Sequence, residues 1–223
     1  MPAPISIIIP TLNAETELPG AIAALMEGLE AGLIRELIIS DGGSSDGTMQ
    51  IAEAAGAEWI SGDPSRGGQL RRGAETARAD WLLFLHADTQ LAPGWTEAVS
   101  AHMAAGGAGY FWLRFRAVGI GAWQTARWAN LRSRFFGLAY GDQGLLIRRT
   151  EYAAAGGYDD IPLMEDVAFA RRLRLTPIGH IARTGAARYK KGGWYRRGAS
   201  NLITLALYYA GVSPARLAAR YRR

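Results

Sequence analysis

The sequence predicts an α/β fold, a mixed but mainly parallel sheet flanked by helices. Short apolar runs alternate with helical patterns through the first half, the order expected of parallel β-α-β units. Trp81-Leu82-Leu83-Phe84-Leu85 sets five bulky apolar residues between polar groups, as in a central strand covered on both faces. Three apolar runs also stop at polar side chains: Thr11 and Asn13 after the first, Asp41 after the second, and His86, Asp88 and Thr89 after the central one. Ligands of open α/β sheets bind outside the carboxyl ends of the strands, so those ends mark the expected site.

Taken in order, Ile5 to Pro10 is the first strand. Asn13 to Leu33 reads as a helix, with Leu18, Ile22, Leu25, Met26 and Leu29 at helical spacing. Glu36 to Ser40 is the second strand, and the turn Asp41 to Thr48 leads into a helix ending near Ala55. Glu58 to Ser61 is a short third strand, and Gln69 to Ala79 a helix that delivers the chain into the central strand. Ala108 to Val118, with Tyr110, Trp112 and Phe115 interleaved with Arg114 and Arg116, reads as a strand with one polar face. Ala122 to Phe136 reads as an aromatic, basic helix, Leu145 to Arg148 as a strand and Glu151 to Ala155 as a short helix. Leu163 to Leu175 and Trp194 to Gly211 are further helices. The apolar run from Leu202 to Val212 falls short of the roughly twenty residues that a bilayer span needs. No repeat or linker interrupts the chain, so a single domain over residues 1–223 is expected.

With 49% apolar and 20% charged residues, the 223-residue chain has the balance of a folded protein, not a disordered one. It has no cysteine, which excludes disulfides and thiolate metal sites and suits a reducing cytosol. No basic region precedes a long apolar stretch at the N-terminus, so a cytoplasmic location without a secretory signal is expected. Charge is uneven: residues 1–110 carry 5 basic and 14 acidic side chains, residues 111–223 carry 20 and 6, and no acid follows Asp166. A basic second half suits an anionic partner such as a diphosphate or a lipid surface. No recognisable nucleic-acid module accompanies the basic residues, so nucleic acid is not an expected partner.

In the turn from Asp41 to Thr48, Gly42 and Gly43 let the backbone approach a ligand, while Ser44, Ser45 and Asp46 can cap the next helix. An ordinary capped turn accounts for the same residues. Neither G-x-x-x-x-G-K-[ST] nor G-x-G-x-x-G occurs. Asp88 either caps a helix or holds Mg²⁺ or Mn²⁺, hard ions that share carboxylate and phosphate oxygens. Glu165 and Asp166 open a helix, where they complement its dipole. Facing a cleft instead, one would act as a general base and the other would orient or bind, because burial beside a second carboxylate raises a pKa.

Ile9-Pro10-Thr11-Leu12-Asn13, Ser40 to Thr48, Phe84-Leu85-His86-Ala87-Asp88-Thr89 and Met164-Glu165-Asp166 occur in an order and spacing that resembles family 2 glycosyltransferases of the GT-A fold. Gly141-Asp142-Gln143-Gly144 and Gly156-Gly157-Tyr158 extend the resemblance over most of the chain. It implies a Rossmann-like nucleotide-diphospho-sugar transferase, with residues 1–110 as the nucleotide-binding half and 111–223 as the acceptor-binding half with a basic helical C-terminus. By the resemblance, Pro10, Thr11, Asn13, Asp41 and Gly43 line the nucleotide pocket, Asp41 reading the base. Arg66, Gln69, His86 and Ala87 meet the nucleotide or donor sugar, and Asp88 is the metal ligand, the last Asp of D-x-D. Asp166 is the catalytic base, with Glu165 beside it. Asp142, Gln143 and Trp194 fall to the acceptor, Arg188 and Lys190 to the diphosphate, although a solvated basic loop is the plainer reading of Lys190. His86 replaces the first Asp of D-x-D with an imidazole that, when neutral, brings no negative charge. The Q-x-x-R-W motif of processive synthases is absent.

The implied reaction is an inverting in-line displacement that moves a sugar from a UDP, GDP or dTDP donor to an acceptor hydroxyl, lipid-linked acceptors included. A divalent cation, Mg²⁺ or Mn²⁺, assists it. Two other readings stand beside this one. A sugar nucleotidyltransferase would show a glycine-rich basic loop where Thr11-Leu12-Asn13-Ala14-Glu15 stands. A non-catalytic binder of nucleotides or anionic membranes could use Trp123, Trp128, Phe135 and Phe136 beside Arg127, Arg132 and Arg134. Arg216, Arg220, Arg222 and Arg223 near Tyr221 could serve it too. For Trp123 the expectation is core packing against the sheet.

Overall fold

The computed structural model describes residues 3–221. Its strands are β1 (Ile5–Thr11), β2 (Ile34–Asp41), β3 (Glu58–Ser61), β4 (Trp81–Phe84), β5 (Thr89–Leu91), β6 (Ala108–Phe115), β7 (Leu145–Arg148) and β8 (Leu175–Thr184). They form one eight-stranded sheet in the order β3-β2-β1-β4-β7-β6-β8-β5, which runs through both halves of the chain. The first four strands are parallel, β7 is antiparallel to β4, and β6 runs parallel to β8. The carboxyl ends of β1, β2 and β4 therefore share one edge, and Thr11 lies directly beside Asp41 in the register.

Every residue of β1 is buried, because helices cover both faces. Side chains alternate along a strand. Ile5, Ile7 and Ile9 accordingly pack with Leu18 and Leu25 of α1 (Leu18–Glu30), Ala52 of α2 (Thr48–Ala54), and Trp95 and Val99 of α4 (Trp95–Ala105). On the opposite face Ile8 meets Leu70 and Ala74 of α3 (Arg66–Thr76), with Tyr152 of α6 (Arg149–Ala154) and Phe169 of α7 (Glu165–Ala170). Gly73 lets α3 lie directly on β1, since a Cβ there would run into Ile8. A smaller cluster joins Leu113 and Phe115 to Ala122, Ala126 and Ala129 of α5 (Ile120–Phe136). The chain closes with α8 (Ala187–Gly192), α9 (Trp194–Tyr209) and α10 (Pro214–Tyr221).

Several boundaries depart from the sequence reading. The helix expected from Asn13 begins at Leu18, because residues 13 to 15 hold the 44–48 turn instead: Asn13 N–H donates to Ser44 Oγ at 2.8 Å and Ala14 N–H to Thr48 Oγ1 at 2.8 Å. The helix expected over Leu163 to Leu175 shrinks to α7, and Leu175 opens β8 instead. Pro177 and Gly179 argue against a strand there, but they sit where the β6–β8 register shifts, the place that tolerates them. The strand expected to reach Val118 stops at Phe115, and β5, α4, α8 and α10 add to the elements read from the sequence. Arg222 and Arg223 lie outside the described residues.

Candidate active site

Asp41 ends β2 with 1% exposure, and its carboxylate accepts from four donors. Thr11 Oγ1 (2.8 Å) and Ser44 Oγ (2.5 Å) donate to Oδ1, while the N–H groups of Gly43 (2.7 Å) and Ser44 (2.6 Å) donate to Oδ2. Burial pushes its pKa up, but the Ser44, Thr11 and Gly43 donors outweigh burial and hold it below the usual carboxylate range. Gly43, at φ 91°, bends the loop back over Asp41. Asn13, at φ 51°, clamps the same loop by accepting from Ser45 N–H at 2.9 Å. Gln69 braces the strand ends from beneath: its Nε2 donates to Thr11 O at 2.6 Å and Ser40 O at 2.9 Å.

One strand farther, His86 leaves β4 and packs against the backbone of Gly141, where a Cβ would collide with its Nε2. Burial lowers its pKa well below the ordinary value, and the charges of Arg66 and Arg188 add to this, so the imidazole is neutral. Asp88 lies behind it. Its Oδ1 accepts from Thr184 Oγ1 at 3.4 Å, and Gly185 leaves room for its Oδ2, 2.9 Å from where a Cβ would stand. Burial raises the pKa of Asp88 and Glu17 adds to the rise, while Arg188, Arg66 and Arg116 oppose it.

The opposite wall is the start of α7. Met164 takes a left-handed φ of 68°, uncommon for a residue with a Cβ, and so turns Glu165 and Asp166 into the cleft. Asp166 Oδ2 accepts from Gly141 N–H at 3.1 Å and Oδ1 from Val167 N–H at 2.7 Å. Glu165 is 2% exposed; burial and the neighbouring Asp166 push its pKa up to about 7, and Arg66, 3.9 Å away, opposes them. His86, Gly141, Leu145, Tyr158, Glu165 and Asp166 thus line one cleft. Asp142 follows Gly141 in the chain and has an Oδ1 with no hydrogen-bond partner. Burial lifts its pKa to about 6, opposed by Arg132 and reinforced by Asp166 and Asp88.

Residues 6–156 match the model of glycosyl transferase family 2. The chain belongs to glycosyltransferase family 2. Its relatives include the PGL/p-HBAD biosynthesis glycosyltransferase of Mycobacterium tuberculosis, 37% identical over 99 residues, which are 41% of this chain and 38% of that protein. Glucosyl-3-phosphoglycerate synthase of Mycolicibacterium smegmatis is 33% identical over 93 residues, 38% of this chain and 30% of that protein. The matched part thus spans well under half the length of either relative. Among solved structures, S. aureus TarS superposes with a TM-score of 0.63 at 14% identity, over 96% of this chain and 41% of that one. Glucosyl-3-phosphoglycerate synthase from Mycobacterium tuberculosis in complex with Mn²⁺ and UDP-glucose superposes at 0.58 and 18% identity, over 90% and 78%. These likenesses show the GT-A fold.

Within this family 2 domain, the fold gathers Thr11, Asn13, Asp41, Gly43, Arg66, His86, Ala87, Asp88, Asp142, Glu165 and Asp166 around one sheet edge and the wall facing it. Pro10 is buried within β1. Arg188 acts electrostatically on both His86 and Asp88, whereas Lys190 is exposed farther along α8. Three of the expected side chains are held by other parts of the fold. Both donor hydrogens of Gln69 are held by backbone carbonyls, so it braces the strands. Gln143, fully buried, accepts from Ser133 Oγ at 2.6 Å and donates to Phe111 O at 3.2 Å, which ties α5 to β6 and leaves nothing for an acceptor. Trp194 stacks on Tyr189 with centroids 5.1 Å apart and packs on Phe115 and Gly121.

Sequence reasoning missed the Gly141 N–H, a backbone group with no side-chain signature. It also missed Arg116, which donates to Asp88 O at 3.3 Å and pairs with Glu17. Its position opposite Asp88 follows only from the β6–β8 pairing. Among the described residues, no three His, Asp or Glu side chains converge to hold a metal ion by themselves.

Proposed function

We propose that this domain transfers a sugar from a nucleoside-diphosphate donor to an acceptor hydroxyl with inversion, Asp166 serving as the general base. The observation that carries the reading is the Gly141–Asp166 hydrogen bond, which fixes a carboxylate in the cleft that His86 also lines. An acceptor hydroxyl oxygen attacks the anomeric carbon, the bond from that carbon to the diphosphate oxygen breaks, and the hydroxyl proton passes to Asp166. The leaving group is a nucleoside diphosphate. Glu165, with its raised pKa, shares the wall with Asp166 and is positioned by Arg66.

Arg66 and Arg188 supply positive charge toward the diphosphate. Neutral His86 offers a hydrogen bond to the donor without adding charge. Asp41, Thr11, Asn13 and Gly43 form the nucleotide end, and Asp41 works there by shaping the Gly43–Ser44 backbone. Direct contact of Asp41 with a base would require one of its four internal donors to give way.

A single half-buried carboxylate with one long hydrogen bond fits a divalent cation only when other ligands come with it, and a diphosphate brings them. Asp88 would hold such an ion, which supplies charge neutralisation for the leaving group. The crystals of glucosyl-3-phosphoglycerate synthase with Mn²⁺ and UDP-glucose make Mn²⁺ and a UDP-sugar the first pair to try. GDP- and dTDP-sugars follow, with acceptors presented in water or on a lipid.

The test is Asp166→Asn. Transfer should fall by about 10²–10⁴-fold while nucleotide binding holds. Comparable turnover in the variant would sink the base assignment, and a product with the donor's anomeric configuration would sink inversion. A thermal-shift screen of UDP, GDP and dTDP with and without Mn²⁺ fixes the donor class, and the metal-dependent part should vanish in Asp88→Ala.

A further inference from the structure

The side of α5 turned away from the sheet is aromatic and basic, whereas a solvent-facing helix surface is ordinarily polar. Ala122, Ala126, Ala129 and Ser133 point inward. Ile120, Trp123, Trp128 and Phe135 therefore point outward, with exposures of 70%, 60%, 57% and 71%. Trp123 thus contradicts its expected place in the core. Val118 before the helix and Phe136 at its end are exposed as well.

α9 continues the patch. Tyr195, Ala199, Leu202, Ala206 and Tyr209 recur at three- and four-residue intervals along one exposed side. Tyr195 Oη donates to Gln124 Oε1 at 2.6 Å and so joins the two helices at the surface. Neither helix contains an acidic residue. Arg127, Arg134 and Arg196 are exposed on them, Arg127 5.5 Å from the Trp123 ring centroid, and Lys190 and Lys191 end the preceding α8.

A contiguous apolar surface of this kind marks an interaction site. We propose that the face formed by α5 and α9 docks on an anionic lipid bilayer, its aromatic and aliphatic side chains entering the headgroup boundary and its arginines meeting lipid phosphates. Charge decides between a bilayer and a second copy of the chain. A two-fold dimer would set the patch against itself, bringing arginines together with no acid to answer them. Anionic lipid complements both features, and tryptophan favours the membrane interface. Among the described residues no helix is long and apolar enough to cross a membrane, so the contact is with the surface. The inner side of α5 carries Ser133 and Asn130, which hold Gln143 next to Asp142, so a docked domain keeps its cleft wall tied to the lipid-facing helix. Docking of this kind does not depend on which sugar or base the cleft takes.

The experiment is flotation of the full chain with phosphatidylcholine vesicles, with and without phosphatidylglycerol, at low and high salt. The chain should float with the anionic vesicles, less so as salt rises. A Trp128→Glu/Phe135→Glu variant should partition at least about tenfold less, while Met49→Glu, on the exposed side of α2, should float like the parent. Circular dichroism and retained nucleoside-diphosphate binding check that the double variant folds. Quenching of the parent's tryptophan emission by bromolipids reports insertion without any substitution. Absence of flotation on anionic vesicles at low salt overturns the proposal, as does undiminished flotation of the double variant. A dimer that dissociates in the double variant, without vesicle binding by the parent, gives the face to a second copy instead.

Discussion

Asp166 accepts a hydrogen bond from Gly141 N–H at 3.1 Å, and the same glycine is the residue against which the His86 ring packs. A side chain just after β4 and one in the first turn of α7 are thus set at a fixed separation by a single backbone unit. Gly141→Ala places a methyl group where His86 Nε2 stands. The cost should be about 1–3 kcal/mol of stability from overpacking, and kcat should fall more than nucleotide affinity does. Urea unfolding and steady-state kinetics measure the two; a variant with unchanged kcat would show that this spacing is not needed for transfer.

Gln69 holds Thr11 O and Ser40 O together through one amide nitrogen. Gln69→Leu keeps the volume roughly but removes the side-chain donor from both carbonyls, at about 0.5–1.5 kcal/mol per hydrogen bond lost, while Thr11 O keeps the Gly42 N–H at 2.9 Å. Stability should fall, and nucleotide affinity should weaken with it because the ends of β1 and β2 carry Thr11 and Asp41. Chemical denaturation and a nucleotide titration test both; a stability loss with intact affinity would confine Gln69 to the scaffold.

The strands were legible where one physical signal dominated. Ile7 to Ile9 and Trp81 to Phe84 are buried on both faces and read as unbroken apolar runs, and Glu58–Ser61 and Leu145–Arg148 coincide with their expected limits. What stayed hidden depends on partners distant in sequence. β8 is held as a strand by pairing with β6, which overrides the weak local signal of Leu175 to Thr184. Gln69 and Gln143 look like ligand-binding amides in sequence, and only their burial beside backbone carbonyls and a serine shows otherwise. The exposure of Trp123 is hidden in the sequence for a related reason. Apolar character fixes that a side chain prefers to leave water, not which surface covers it.

Glu165 has a folded pKa of about 7, raised from 4.5 by burial and by Asp166. The native state therefore binds the proton more tightly than the unfolded chain. The stability this contributes is fully present below about pH 4.5 and is lost as pH rises through about 7. Glu165→Gln removes this dependence, and at pH 8 it should be more stable than the parent by roughly 1–3 kcal/mol, with little difference near pH 4. Thermal unfolding across that range checks it. A variant equally destabilised at both pH values would mean that the carboxylate acts through packing with Arg66, not through its charge.

His86→Asp converts the motif to Asp-x-Asp and so separates the role of the imidazole from that of its position. The ring is neutral and half-buried, so the substitution exchanges an uncharged group for an anion near Asp88 and Asp166. Without a cation, two results follow from placing an unpaired charge in a half-buried site: a loss of stability at neutral pH and partial recovery as pH falls and the new carboxyl protonates. With Mn²⁺ and a nucleoside diphosphate, the second carboxylate should add to the one at Asp88. The melting temperature should then rise by more degrees than the parent's under the same addition, since a ligand stabilises in proportion to how tightly the folded state holds it. Differential scanning fluorimetry over a metal and pH series reads all of this at once. If the variant gains no more from Mn²⁺ than the parent, His86 lies outside the cation's reach, and its contribution reduces to its packing on Gly141 and whatever hydrogen bond the neutral ring gives the donor.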